Sequence, residues 1–97
     1  MTVSTSDLLR RSPLLVERWN LRRREAVEML ALAVREGDLE GAALDDLATA
    51  VHRIAGTAGL FGEASFGIRA AELERAIRRD APAEERLKLA REMLAAA

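Results

Sequence analysis

Leu44-Asp45-Asp46-Leu47-Ala48-Thr49-Ala50-Val51-His52-Arg53-Ile54-Ala55-Gly56-Thr57-Ala58-Gly59-Leu60-Phe61-Gly62 repeats apolar side chains at Leu44, Leu47, Val51, Ile54, Ala58 and Phe61. Intervals of three and four residues place these side chains on one side of an α-helix. The spacing predicts a helix from about Ala42 to Phe61, with Gly41 in the preceding loop and Gly62 as its C-terminal stop. No stretch of the chain alternates polar and apolar residues convincingly, and alanine, leucine and arginine dominate, so helix is expected throughout.

The same pattern extends to either side. Ser12-Pro13 reads as an N-cap followed by proline at the first helical position, where a missing N–H costs nothing. From there a long helix is predicted to about Glu36, stopped by Gly37-Asp38. Its stripe is Val16, Trp19, Ala26, Val27, Leu30, Ala33 and Val34, interrupted at Arg23. Trp19 is read as a core or bundle-end residue. Upstream, Ser6 to Arg11 is expected to form a short extra helix or turn, with Leu8 and Leu9 packed over one end. Downstream, Phe66, Ala70, Leu73 and Ile77 predict a helix over 65–79, with Arg75, Arg78 and Arg79 at the C-terminal end that suits cations. Asp80-Ala81-Pro82 opens a last helix, with Glu84 and Glu85 in its first turn and Leu87, Ala90, Met93 and Leu94 on its apolar face. The expected fold is all-α: an antiparallel four-helix bundle with a short extra N-terminal helix or turn, one domain over residues 1–97. A core this modest leaves no deep ligand cavity, so function is expected on the surface.

Composition narrows the chemistry. The chain of 97 residues has no cysteine, which excludes disulfides, thiolate metal sites and cysteine nucleophiles. One histidine, His52, cannot by itself build a zinc site of the usual kind. A net charge of −1 gives no general reason to expect nucleic acid or an acidic membrane. Arg22-Arg23-Arg24 is interspersed with Glu17, Glu25 and Glu28 on one helix and reads as a solvated face. The longest apolar run, Met29 to Val34, is far short of a membrane span, and the start Met1-Thr2-Val3-Ser4-Thr5-Ser6-Asp7 lacks the basic segment and apolar core expected of a secretory signal. A cytoplasmic monomer is expected.

His52 is the chemically suggestive residue. With Val51, Ile54 and Ala58 turned to the core, His52 is expected on the helix flank, together with Asp45, Ala48, Thr49, Ala55, Gly56 and Gly59. Helical side chains lean toward the N-terminus, so a side chain at position 56 would drape over His52, and glycine removes that cover. Each mid-helix glycine costs roughly 1 kcal/mol relative to alanine. Access of another surface to the imidazole is one reason to retain it; close helix packing is the other. No acid, metal ligand or second base is read beside His52, so a hydrolytic triad is not expected. A neutral imidazole can still accept a phosphoryl group and pass it on.

His52-Arg53-Ile54-Ala55-Gly56-Thr57-Ala58-Gly59-Leu60-Phe61-Gly62, followed by Leu73-Glu74 on the next helix, resembles a histidine-containing phosphotransfer (HPt) domain. The matching positions are His52, Gly56, Ala58, Gly59, Gly62, Leu73 and Glu74. The remainder of the chain agrees in helix count, order and length. Many members carry lysine where this chain has Ala55, and Arg22, Arg23 or Arg24 on the neighbouring helix is the expected substitute for its charge. The resemblance implies a phosphorelay intermediate without autokinase activity. His52 would accept a phosphoryl group through Nε2 from a receiver-domain phospho-aspartate, under an upstream hybrid sensor kinase, and pass it to another response-regulator receiver. It implies docking on Asp45, Ala48, Thr49, Arg53, Ala55, Gly56 and Gly59, no cofactor on this chain, and Mg²⁺ on the partner receiver. The alternatives are a helical protein–protein interaction module without phosphotransfer chemistry, and a helical module that dimerises by sharing its core.

Overall fold

The computed structural model describes residues 4–37 and 39–97, the side chain of Ser6 apart. Asp38, read with Gly37 as a helix stop, and Met1 to Val3, read for a leader, lie outside the described residues. The described chain is all-helical, in the order α1 (Thr5–Arg11), α2 (Pro13–Glu36), α3 (Gly41–Thr57), a 3₁₀ turn (Ala58–Phe61), α4 (Ala64–Arg78) and α5 (Ala83–Ala95).

Local chemistry sets most of these boundaries. The Ser4 hydroxyl accepts from the Asp7 N–H and starts α1; the Ser12 hydroxyl accepts from the Leu15 N–H and starts α2 at Pro13. Gly37 ends α2 with φ of 81°, a left-handed conformation that costs glycine nothing. The predicted 42–61 helix is different in its last turn. Regular α geometry stops at Thr57, the chain tightens into the 3₁₀ turn, and Gly62 closes it at φ 78°. Its closing bond runs from the Glu63 N–H to the Ala58 carbonyl at 2.9 Å, a helix-ending pattern that only a left-handed Gly62 allows without strain. At the other end, Gly41 is the first residue of α3 rather than part of the loop.

α2 packs on α3 and α5, and α4 packs on α3 and α5, while α1 lies against α2 and the 3₁₀ turn. The enclosed core contains Trp19, Leu30, Leu47, Val51, Ile54, Phe66, Leu73 and Met93. Val27, Val34, Leu44, Phe61 and Leu94 border it. Leu9 lines a groove with Leu15, Trp19, Leu60 and Phe61, but Leu8, expected beside it as an end cover, is exposed because it sits on the outward side of α1.

Arg23, the break in the α2 stripe, has a structural explanation. Its Nε donates to both oxygens of Glu63, at 2.8 and 3.0 Å, and its guanidinium lies 5.2 Å from the Phe66 ring centre. The buried Trp19 indole donates to Glu63 Oε2 at 3.0 Å and stacks on Phe61 with centroids 5.3 Å apart. One carboxylate at the start of α4 therefore ties down the α2 face that covers the 3₁₀ turn.

Candidate functional site

His52 projects from α3 six residues before the start of the 3₁₀ turn, and its side chain is 68% exposed. Val51 and Ile54, on either side of it in sequence, are buried and fix the rotation of α3. The rotation of α4 is fixed in turn by Leu73, which is fully buried and turns the following residue, Glu74, to the edge facing α3. The two edges meet there: His52 Nδ1 lies 2.8 Å from Glu74 Oε2. This carboxylate corrects the reading that no acid stands beside His52: the acid comes from α4, across the helix interface. The sequence signal for it was the Leu73-Glu74 pair, since a core residue at 73 places 74 on the flank.

A carboxylate oxygen can only accept, so the proton of that contact is on Nδ1. In the neutral ring this tautomer leaves the Nε2 lone pair unprotonated. A second donor, Arg78 Nε, lies 3.1 Å from the same oxygen. Glu74 is 17% exposed and Arg78 59%, so the carboxylate is partly enclosed between two more exposed partners. Glu72, two residues before Glu74 and so on a different side of α4, pairs instead with Arg69.

The glycines beside His52 are open. A Cβ built on Gly56 or on Gly59 meets nothing within 4 Å, so packing within this chain requires neither glycine. Gly67 on α4 is the opposite case. Its Cβ would come 3.1 Å from the Ala58 Cβ and 3.7 Å from the Ala55 carbonyl oxygen. Gly67 is the close-packing glycine, and it lets α4 come near enough to α3 for Glu74 to meet His52.

The expected flank divides in two. Asp45, Thr49, Arg53, Gly56 and Gly59 are exposed, with the Thr49 hydroxyl donating back to the Asp45 carbonyl at 3.1 Å. Ala48 is not part of the exposed patch: it is 3% exposed and belongs to the core. Its neighbour two turns on, Ala55, is half-buried against the core beside Gly67, so this edge of α3 is the one α4 covers. The expectation for Arg23 is also corrected, since Glu63 holds its guanidinium. Arg22 lines a groove between α2 and α3 with Arg53, Asp46 and Thr49, around the helix from Glu74. The cation that stands at the His52–Glu74 pair is Arg78, from α4.

Among the described residues, no group of three or more His, Asp or Glu side chains converges to hold a metal ion. None of the described helices is long and apolar enough to cross a membrane. No protein-family model, curated protein or solved structure matches the chain.

Proposed function

We propose that the protein is a phosphorelay intermediate, built as an antiparallel four-helix bundle, that carries a phosphoryl group on His52 Nε2 between receiver domains. The observation that supports this most is the one-sided restraint of the imidazole. Its Nδ1 is held by Glu74 while the rest of the ring stands in solvent beside two uncovered glycines.

The chemistry follows from that tautomer. The Nε2 lone pair attacks the phosphorus of a receiver's phospho-aspartate in line, the N–P bond forms, and the P–O bond to the aspartate breaks as its carboxylate leaves. The ring becomes a phospho-imidazolium with its proton still on Nδ1, where the Glu74 carboxylate offsets the new positive charge. For onward transfer, the aspartate of a second receiver attacks phosphorus and the N–P bond breaks. The ring then departs as the same neutral Nδ1–H tautomer. No proton has to enter or leave the site in either direction. Neutralising the phosphoryl oxygens during the step is assigned to the receiver's own cation.

Gly56 and Gly59 supply the room. A receiver must bring its acyl phosphate within bonding distance of Nε2, and a side chain at position 56 would stand between them. The docking surface comprises Asp45, Thr49, Arg53, Gly56 and Gly59, with the exposed Leu60 at its end.

Incubation with phosphorylated receiver domains tests the reading. The expected result is an acid-labile, base-stable label on the wild-type chain and none on His52→Gln. Equal labelling of both, or of neither across a full set of receivers, would overturn it.

A further inference from the structure

We infer that Arg78 binds the phosphoryl group once it is on His52, reaching it from the Glu74 carboxylate that it shares with the ring. The inference rests on the phosphorelay reading, because it concerns the phosphorylated state of that same histidine.

A phosphoryl group on Nε2 places up to two negative charges on a surface where Glu74 is already anionic. A cation is needed on the phosphoryl oxygens, and the geometry restricts the choice. Arg78 Nε and His52 Nδ1 are bound to the same oxygen, Glu74 Oε2, so the guanidinium starts within two hydrogen bonds of the ring. Only Nε is used in that contact. The Nη groups make no hydrogen bond among the described residues, and they carry four of the five N–H donors of the guanidinium. Anchoring through Nε fixes the plane of the fork, and a planar fork of N–H donors matches phosphoryl oxygens better than a point charge does.

The other cations of this region are placed less well. Arg79 is held by Glu85 across the α4–α5 connection. Arg75 borders the same groove as Glu74 and Arg78, but among the described residues no hydrogen bond ties it to the Glu74 carboxylate, as one ties Arg78. Arg53 lines the groove toward α2, on the opposite side of His52 from Glu74.

The consequence is kinetic. In hydrolysis, water attacks phosphorus, the N–P bond breaks, and inorganic phosphate leaves the neutral ring. The transition state is loose and metaphosphate-like, with less negative charge on the phosphoryl oxygens than the ground state has. A cation on those oxygens holds the ground state more firmly and slows the loss. Arg78 thus lengthens the life of phospho-His52 between donor and acceptor.

The test uses phosphoramidate, which phosphorylates imidazole with loss of ammonia and needs no receiver. Half-lives of phospho-His52 are compared in the wild type, Arg78→Ala and Arg78→Lys. They are also compared in Glu74→Gln with and without Arg78→Ala, which removes any effect that Arg78 exerts through the carboxylate charge. Arg78 is exposed, so these variants should fold, and circular dichroism checks that they do. We expect Arg78→Ala to shorten the half-life about three- to fivefold in both backgrounds, as suits one exposed charge contact. Arg78→Lys should restore part of it, and added salt should shorten the wild-type half-life more than that of Arg78→Ala. Equal half-lives in Glu74→Gln and Glu74→Gln/Arg78→Ala would overturn the inference, even if Arg78→Ala alone had an effect. A half-life that depends on Arg78 in a chain that no receiver phosphorylates would uphold the contact and discard the relay.

Discussion

His52 Nδ1 and Arg78 Nε meet on one oxygen of Glu74, at 2.8 and 3.1 Å, although they come from different helices. On the proposed relay the shared carboxylate has two separable tasks: accepting a hydrogen bond, which selects the tautomer, and carrying charge, which offsets that of a phospho-imidazolium. Glu74→Gln retains an accepting oxygen but no charge, whereas Glu74→Ala removes both. Glu74→Gln is expected to slow transfer about tenfold, the scale of one charge-assisted hydrogen bond at a partly exposed site. The Nδ1–H tautomer should persist in its ¹⁵N spectrum. In Glu74→Ala the tautomer preference should relax and transfer should fall further. Wild-type rates in both variants would remove Glu74 from the chemistry.

Gly56 offers a test in which stability and function move in opposite directions. Its Cβ position is empty and its φ is not in the left-handed region, so Gly56→Ala should stabilise the fold by about 0.5–1 kcal/mol through helix propensity alone. The melting temperature should rise by a few degrees. Gly56→Leu should also fold, yet its side chain would lie back over His52 and block receiver transfer while phosphoramidate still reaches the ring. A Gly56→Leu chain that exchanges phosphate with receivers at the normal rate would show that access is not why glycine stands there.

The helices were legible because their punctuation is local. Ser12-Pro13 and Gly37 mark the ends of α2 through their own backbone chemistry, and the apolar stripes of α3 and α4 coincide with the buried residues Leu47, Val51, Ile54, Phe66, Ala70 and Leu73. What periodicity along one helix cannot supply is the rotation of one helix against the next. Ala48 and Gly56 lie about 40° to either side of His52 by helical phase, and it is the packing of α4 that covers the first and leaves the second open. The contact of Glu74 with His52 depends on the same rotation, although the Leu73-Glu74 pair already placed Glu74 on a helix flank. Arg23 could have been decoded further: a charge inside an apolar stripe calls for a counter-charge on a facing element, and Glu63 provides it. The switch to 3₁₀ geometry after Thr57 depends on how Gly62 and Glu63 close the turn, which apolar spacing does not encode.

Gly67 sets the distance between the two halves of the site. The nearest atom to its Cβ position is the Ala58 Cβ, which is fixed to buried backbone and cannot swing away. Gly67→Val should therefore force α4 outward and destabilise the fold by about 1–3 kcal/mol, against any gain in helix propensity. Separating α4 from α3 should also lengthen the His52–Glu74 contact, so the surviving folded fraction should show the relaxed tautomer of Glu74→Ala. A Gly67→Val chain with wild-type stability and the wild-type imidazole spectrum would refute this coupling.

Glu63 should behave as a purely structural residue, although it is a carboxylate eleven residues after His52. Its oxygens satisfy the Trp19 indole N–H and the Arg23 guanidinium, both on α2. Glu63→Ala would leave the indole of a residue only 5% exposed without a partner, and a half-buried cation without its counter-charge. The expected loss is about 2–3 kcal/mol, with a shift in Trp19 fluorescence as the stacking on Phe61 loosens. Glu63→Gln keeps one accepting oxygen for the indole and should lose about half as much. Well below the melting temperature both variants should still transfer phosphate through His52 at rates close to wild type, because neither change touches Glu74 or the open glycines. A Glu63→Gln chain that is fully folded but inactive in transfer would show that the reactive surface extends to the start of α4.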